Sequence, residues 1–176
     1  MSFDAGELGM GDSNHPEAAN SGRDADHGPG RERRAAYRAL AYWEMLCASG
    51  LMPTPRTLAE EAPEELRPAL FMVSLRRPAE SSVIAGAGAV LDRICGTPAA
   101  GRRLADAVPP GLRDTLADLT RVIDTYGKPV LNSGMAQARD GRTVLYRSIL
   151  MPLADSDGQV TAYLGAIGCR QLPAAI

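Results

Sequence analysis

Aromatic residues, lysine and histidine are scarce in this chain, and these scarcities limit the kinds of core and of functional site that it can form. Aromatic side chains make up 5% of the 176 residues, so Ala, Leu and Val must fill most of any core. Lys128 is the only lysine, and both histidines, His15 and His27, lie within residues 1–30. Because no histidine follows, a Cys–His nucleophile pair and a haem held by a histidine of the folded region are both disfavoured. The sequence points to no particular cofactor.

Cysteines, net charge and long apolar runs are also limited. Cys47, Cys95 and Cys169 are odd in number and form no Cys-x-x-Cys motif, which argues against a disulfide framework and a zinc site. A formal net charge of −2 argues against a nucleic-acid partner. No apolar run approaches the ~18 residues of a membrane-spanning helix, and the N-terminus lacks a signal-peptide pattern. We therefore expect a cytoplasmic protein without membrane insertion.

Composition divides the chain into three predicted segments. Residues 1–30 are rich in Gly, Asp, Asn and Ser and nearly devoid of branched apolar residues, which predicts a disordered tail. Residues 31–67 are predicted to hold an N-terminal helix and a proline-rich connection with a short helix around 64–66. Residues 68–172 are predicted to form the main domain.

The N-terminal helix is predicted from an apolar stripe. Ala36, Leu40, Trp43 and Cys47 share one side of a helix that Gly50 can end. This stripe can pack on the helix's own domain, or it can bind another chain, and the two interpretations are compatible. Since tryptophan often anchors interfaces, Leu40, Trp43 and Cys47 are candidate interface residues.

The clearest helix spans residues 110–126. Pro110 suits its first turn, and Gly127 suits the left-handed residue that ends a helix. Its apolar residues share one stripe, and its charged residues occupy the other faces. An apolar stripe of this kind must pack against another apolar surface. It consists of Leu112, Leu116, Leu119, Ile123 and Tyr126.

Beyond Gly127 the hydrophobic period changes from helical to alternating, which is typical of strands. Asp-Gly pairs at 140–141 and 157–158 are strong hairpin signals, so three strands are predicted to form an antiparallel meander. Two earlier runs complete the sheet, and a short helix is predicted before Gly96. The predicted fold is α+β, with a five-stranded antiparallel sheet that has helices on one face, plus an N-terminal helix. The predicted strands cover residues 70–75, 82–85, 130–138, 143–153 and 160–169.

Two short motifs resemble known ligand loops, and both fail on a required residue. Gly86-Ala87-Gly88 has two glycines of a dinucleotide loop, but Leu91 stands at the third position. Asp155-Ser156-Asp157-Gly158 resembles the start of a calcium loop, but the bidentate glutamate near its end is missing. We therefore interpret the second motif as a turn.

Several short motifs along residues 40–170 carry a family resemblance by their order and spacing. They are Tyr42-Trp43, Pro53, Arg56, Pro63-Glu64-Glu65-Leu66, Leu70, Gly88, Gly96, Gly101-Arg102-Arg103-Leu104 and the run from Ile149 to Gly158. With them the chain resembles a bacterial PAS family of short proteins with a Trp-containing N-terminal helix. Ala85 stands where this family usually has an arginine, so a ligand or partner contact at that point is not carried over.

The resemblance implies sensing or protein interaction. Because only residues 170–176 follow the last predicted strand, we expect no output domain in this chain. We therefore expect a non-catalytic sensory or adaptor module that acts through protein–protein contact, with a homodimer as the favoured assembly and a small apolar ligand as the gate. A ligand between helix 110–126 and the sheet would contact Leu91, Ile94, Leu116, Leu119, Ile123, Tyr146, Ser148 and Leu150.

Two other functions stay open at this point. A ligand-independent adaptor would show a featureless absorption spectrum and would purify without a bound metabolite. A small-molecule-binding, enzyme-like domain would require a cysteine or tyrosine with a perturbed pKa in a closed pocket.

Deletion of residues 1–30 is expected to leave the melting temperature nearly unchanged, because this segment has too few branched apolar residues to contribute to a core. Thermal unfolding of the full and shortened chains, followed by circular dichroism, measures the difference. A fall of many degrees would show instead that the segment is part of the core.

Overall fold

A computed structural model describes residues 31–78 and 81–172, so the predicted tail lies outside the described residues. Five helices and five strands follow one another along the chain. The helices are α1 (Arg31–Leu46), α2 (Pro55–Glu61), α3 (Ala89–Cys95), α4 (Leu104–Ala107) and α5 (Pro110–Tyr126), and a short 3-10 turn (Cys47–Ser49) follows α1. The strands are β1 (Leu70–Ser74), β2 (Val83–Ala87), β3 (Val130–Gln137), β4 (Thr143–Ala154) and β5 (Val160–Gln171).

The five strands form one antiparallel sheet in the order β2-β1-β5-β4-β3. The meander of β3, β4 and β5 is confirmed, and both of its tight turns place a glycine, Gly141 and Gly158, at positive φ. The first strand then pairs with the last, with Phe71 opposite Gly165. The long strands β4 and β5 therefore lie away from the sheet edges, each between two neighbours.

One face of the sheet carries the larger core, which we call the inner core. Helices α3, α4 and α5 cover this face, and α5 begins and ends where the sequence predicts. Its apolar stripe is buried against the sheet, except for Tyr126, which is exposed. The inner core includes Phe71, Val73, Leu91, Ile94, Leu104, Leu112, Leu116, Leu119, Ile123, Tyr146, Leu150, Tyr163 and Ile167.

The opposite face of the sheet carries a second core, which we call the outer core. Helix α1 lies across β4 and β5 and buries Ala36, Ala39 and Tyr42 there. Leu58 of α2 joins the same cluster. The strands contribute Leu70, Ile149, Met151, Leu153, Ala162, Leu164 and Ala166. The sheet is consequently covered by helices on both faces.

The connection before β1 differs from the prediction. The sequence analysis placed no helix at α2. Thr54 caps this helix by accepting a hydrogen bond from the Thr57 amide at 3.2 Å, and Pro55 occupies its first turn. The helix expected around 64–66 is instead a series of turns, in which the Leu66 amide donates to the Pro63 carbonyl at 2.9 Å. The sequence analysis also missed α4, which has only four residues.

Leu119→Ala is expected to lower the free energy of unfolding by about 2–5 kcal/mol, because it leaves a cavity between α5 and the sheet. Val122→Ala on the same helix is the matched control, since Val122 is 39% exposed. Chemical denaturation measures both variants. A cost below about 0.5 kcal/mol for Leu119→Ala would contradict its burial in the core.

Candidate functional site

The structure brings the predicted pocket residues together on one side of the sheet. All of them except Ser148 belong to the inner core, and Ser148 is fully buried on the same face of β4 as Tyr146 and Leu150. They come from three elements, namely α3, α5 and β4. The region between α5 and the sheet is therefore a continuous apolar environment with one hydroxyl in it.

The Ser148 hydroxyl is the unusual group in this environment. It is buried, and it has no hydrogen-bond partner within the described part of the chain. Its neighbours across the strands are Asn132 on β3 and Ile167 on β5, and Asn132 is only partly buried. An unpaired hydroxyl in an apolar core costs free energy that one hydrogen bond to a small molecule would recover.

Two tyrosine side chains hold α5 onto the sheet. The Tyr146 hydroxyl lies 3.0 Å from the Thr115 hydroxyl. The Tyr163 hydroxyl donates to the Asp124 carboxylate, and burial together with that carboxylate raises the pKa of Tyr163 well above its usual value. Sequence analysis missed Thr115 and Asp124, although both are polar residues one position before or after the apolar stripe of α5.

Glycines make room for two aromatic rings in the inner core. A Cβ atom on Gly165 would lie 2.1 Å from the Phe71 ring, and one on Gly134 would lie 2.9 Å from the Tyr146 hydroxyl oxygen. Each glycine is directly opposite its ring on the neighbouring strand. Each ring therefore lies directly over the backbone of the neighbouring strand at its glycine. The contact is possible because the glycine has no side chain.

The thiols of Cys47 and Cys95 are poor nucleophiles in this fold. Burial raises the pKa of Cys95 to about 11, and the nearby Asp92 carboxylate adds to the effect. Burial, with a contribution from Glu44, also raises the pKa of Cys47. Both thiols therefore remain protonated at neutral pH, whereas a catalytic cysteine requires a lowered pKa. The upward pKa shifts of Cys95 and Tyr163 do not favour the enzyme-like alternative.

A separate cleft of about 890 Å³ opens at the end of the sheet where β1 finishes and β5 begins. Its walls come from the loop after β1, from α4 and from the outward side of α5. None of the predicted pocket residues lines it. Its lining includes the apolar Val73, Leu75, Leu104, Ala117 and Val160 and the charged Arg76, Arg77, Arg113, Asp114, Asp118, Arg121 and Asp124.

Two of the three predicted interface residues, Leu40 and Trp43, lie on α1 and contact their own sheet. Leu40 and Trp43 pack against the outer core, and the Trp43 indole N–H donates to the Pro152 carbonyl at 2.9 Å. Cys47 is half-buried just after the helix. The side of α1 that faces away from the sheet is also apolar in part, because it exposes Tyr37 and Met45.

Two negative findings apply to residues 31–78 and 81–172. Within these ranges, no group of three or more His, Cys, Asp or Glu side chains is arranged to hold a metal ion. The helices described there are also too short or too polar to cross a lipid bilayer.

Comparisons with known proteins give one family match and several similar solved structures. A family model described as a PAS domain matches residues 31–168. Similar solved structures include a light-oxygen-voltage domain studied with a flavin analogue, at 16% identity and TM-score 0.48, with 68% of this chain and 84% of that chain covered. The PAS domain of a Colwellia psychrerythraea protein is 16% identical, with TM-score 0.45 and coverage of 59% and 85%.

A receptor from Vibrio cholerae, VqmA, is similar to this chain at 15% identity and TM-score 0.48. The match covers 68% of this chain and 52% of the receptor, so the receptor has a large further part that this comparison does not reach. No curated protein matches the chain in sequence.

In protein freed of any bound small molecule, Ser148→Ala is expected to raise the free energy of unfolding by about 1 kcal/mol, because it removes a buried hydroxyl that has no partner. The matched control is Thr115→Val, which removes a hydroxyl bonded to Tyr146 and should lower the free energy of unfolding by about 1 kcal/mol. Urea denaturation measures the change in the free energy of unfolding for both variants, and the two changes should have opposite signs. A clear loss of stability in Ser148→Ala under these ligand-free conditions would mean that another group of the protein bonds to this hydroxyl.

Proposed function

Because the chain belongs to the PAS domain family, a family of sensory modules, we propose that it is a cytoplasmic sensory module that signals through contact between two copies of itself. A small apolar ligand with one hydrogen-bonding group enters the inner core and bonds to Ser148. The signal passes through the sheet to α1 and changes how α1 binds its partner. The protein performs no catalysis in this scheme.

The alternation of side chains along β4 is the observation that carries this proposal. Ser148 and Leu150 point into the inner core, whereas Ile149 and Met151 point into the outer core beneath α1. All four side chains are buried, so a shift of β4 on one face must be accommodated on the other. A ligand beside Ser148 is thus mechanically connected to α1 through a single strand.

Helix α1 offers a surface for a second copy. Tyr37, Ala41 and Met45 form an exposed stripe on the side opposite the sheet, with Tyr37 and Met45 largely in solvent. If two α1 helices cross antiparallel at Ala41, the small side chain allows close approach, and Tyr37 of one copy lies level with Met45 of the other. The stripe is therefore complementary to itself, as a two-fold interface requires.

This arrangement reconciles the two roles predicted for the N-terminal helix. Leu40 and Trp43 anchor α1 to its own sheet, and the opposite stripe remains available to the second copy. The proposed interface thus borders the predicted residues and does not consist of them. A helix with one face on a sheet and the other on a partner can transmit a change in the sheet directly.

Met45→Glu is expected to convert a dimer into a folded monomer, because it places a charge against Tyr37 of the second copy in the proposed contact. Met135→Glu is the matched control, since Met135 is equally exposed at 65%, compared with 61% for Met45, but lies on the edge strand β3. Light scattering coupled to size exclusion gives the mass, and circular dichroism checks the fold. A wild-type monomer at high concentration, or a dimer that only Met135→Glu dissociates, would contradict the proposal.

Native mass spectrometry of the purified wild-type protein tests whether the dimer has a bound ligand. The expected result is a dimer that retains a small molecule, and Ser148→Ala should reduce the retained fraction. If the dimer carries no added mass and its absorption spectrum is featureless, the ligand-independent adaptor is the better description.

A further inference from the structure

The cleft at the end of the sheet is distinct from the region between α5 and Ser148. It is built by the loop that follows β1, by α4, by the outward side of α5 and by the first residues of β5. Its apolar lining is formed by Val73, Leu75, Leu104, Ala117 and Val160, of which Val73 and Leu104 are buried. Charged side chains surround this apolar surface. A cleft with this arrangement fits a molecule that has an apolar body and a charged end.

The acidic side chains of the cleft already have partners. Asp118 pairs with Arg121, and Asp124 accepts a hydrogen bond from Tyr163. Asp114 lies 3.4 Å from the Arg113 guanidinium, measured between Oδ1 and Nε. Asp114 and Asp118 are therefore each paired with an arginine of the cleft, whereas Asp124 keeps its charge. The four arginines and three aspartates that line the cleft give it a net charge of +1.

Two arginines of the cleft differ from the others. Among the described residues, the guanidinium groups of Arg76 and Arg77 form no hydrogen bond or ion pair with another side chain. Both lie in the loop after β1, within three residues of its end, and both line the cleft. Two neighbouring guanidinium groups present several N–H donors, which match a carboxylate in geometry and charge.

The backbone that carries these arginines is held in place. The Arg76 amide donates to the Ser82 hydroxyl at 3.1 Å, and Ser82 is itself buried. The preceding residue is fixed as well, because the Leu75 amide donates to the Thr161 carbonyl at 2.9 Å. A wall fixed on both strands that border the cleft lowers the entropic cost of binding.

From these features we infer that the cleft binds a small organic acid with an extended apolar body. Arg76 and Arg77 bind the carboxylate, and the apolar body lies against Val73, Leu104 and Val160. The volume of about 890 Å³ is within the range of roughly 300–1,000 Å³ that is usual for small-molecule sites. This site would let the module respond to a second compound, independently of the core beneath α5.

Octanoate is the probe for this inference. Acetate is the control that has the carboxylate without the extended apolar body, and 1-octanol is the control that has the apolar body without the carboxylate. Isothermal titration calorimetry gives the affinities. Amide chemical shifts locate the binding, with Arg77 and Thr161 reporting the cleft and Ser148 reporting the inner core. We expect octanoate to bind at least about tenfold more tightly than either control and to shift the cleft signals.

Arg76→Gln together with Arg77→Gln should weaken octanoate binding by about tenfold or more. The fold should be retained, because Ser82 bonds to the backbone of Arg76 and not to its side chain. Arg93→Gln together with Arg170→Gln is the matched control, since both residues are exposed and neither lines the cleft. This control should bind octanoate as the wild type does.

Three outcomes would overturn the inference: no measurable octanoate binding, equal weakening in both double variants, or shifts confined to the residues around Ser148. None of them bears on the proposed dimer, because Met45 lies on the opposite side of the sheet. The two proposals therefore fail separately.

Discussion

The rest of the structure depends on the burial of β4 and β5 on both faces. From Ser148 to Ala154, every side chain of β4 is buried, alternating between the inner and outer cores. A slip of one residue would exchange the two sets and place the Ser148 hydroxyl under α1. The register with β5, in which Ser148 lies opposite Ile167, therefore fixes both helical layers at once.

Helix α5 is attached to the sheet at two points with an apolar stretch between them. The rows of paired strand residues place Tyr146 on one side of Ser148 and Leu150, and Tyr163 on the other. Each tyrosine bonds to a polar residue of α5, Thr115 or Asp124, so the helix is fixed near both ends of this stretch. The intervening contacts are apolar and non-directional, which makes this region the easiest place to admit a small molecule without detaching α5.

Much of the fold could be predicted because its signals are local. The cap residues of α5 and the two Asp-Gly turns each act within a few residues, and the corresponding elements lie where expected. The need for glycine at position 88 also has a physical explanation, since a Cβ there would lie 2.2 Å from the Arg67 carbonyl oxygen. The cleft could not be predicted, because residues far apart in sequence form it. The buried side of α1 was predicted only in part. Ala39 lies outside the predicted stripe, yet it is buried more completely than Trp43, which belongs to the stripe.

The bond between the Trp43 indole and the Pro152 carbonyl has an optical consequence. Trp43 is the only tryptophan of the chain, and it lies where α1 meets β4. Its emission therefore depends on that junction and on no other tryptophan. Release of α1 from the sheet would expose the indole to water and shift the emission to longer wavelength, while a change confined to the surface of α5 would leave it untouched. The protein thus carries a native fluorophore that separates movement of one helix from unfolding of the whole.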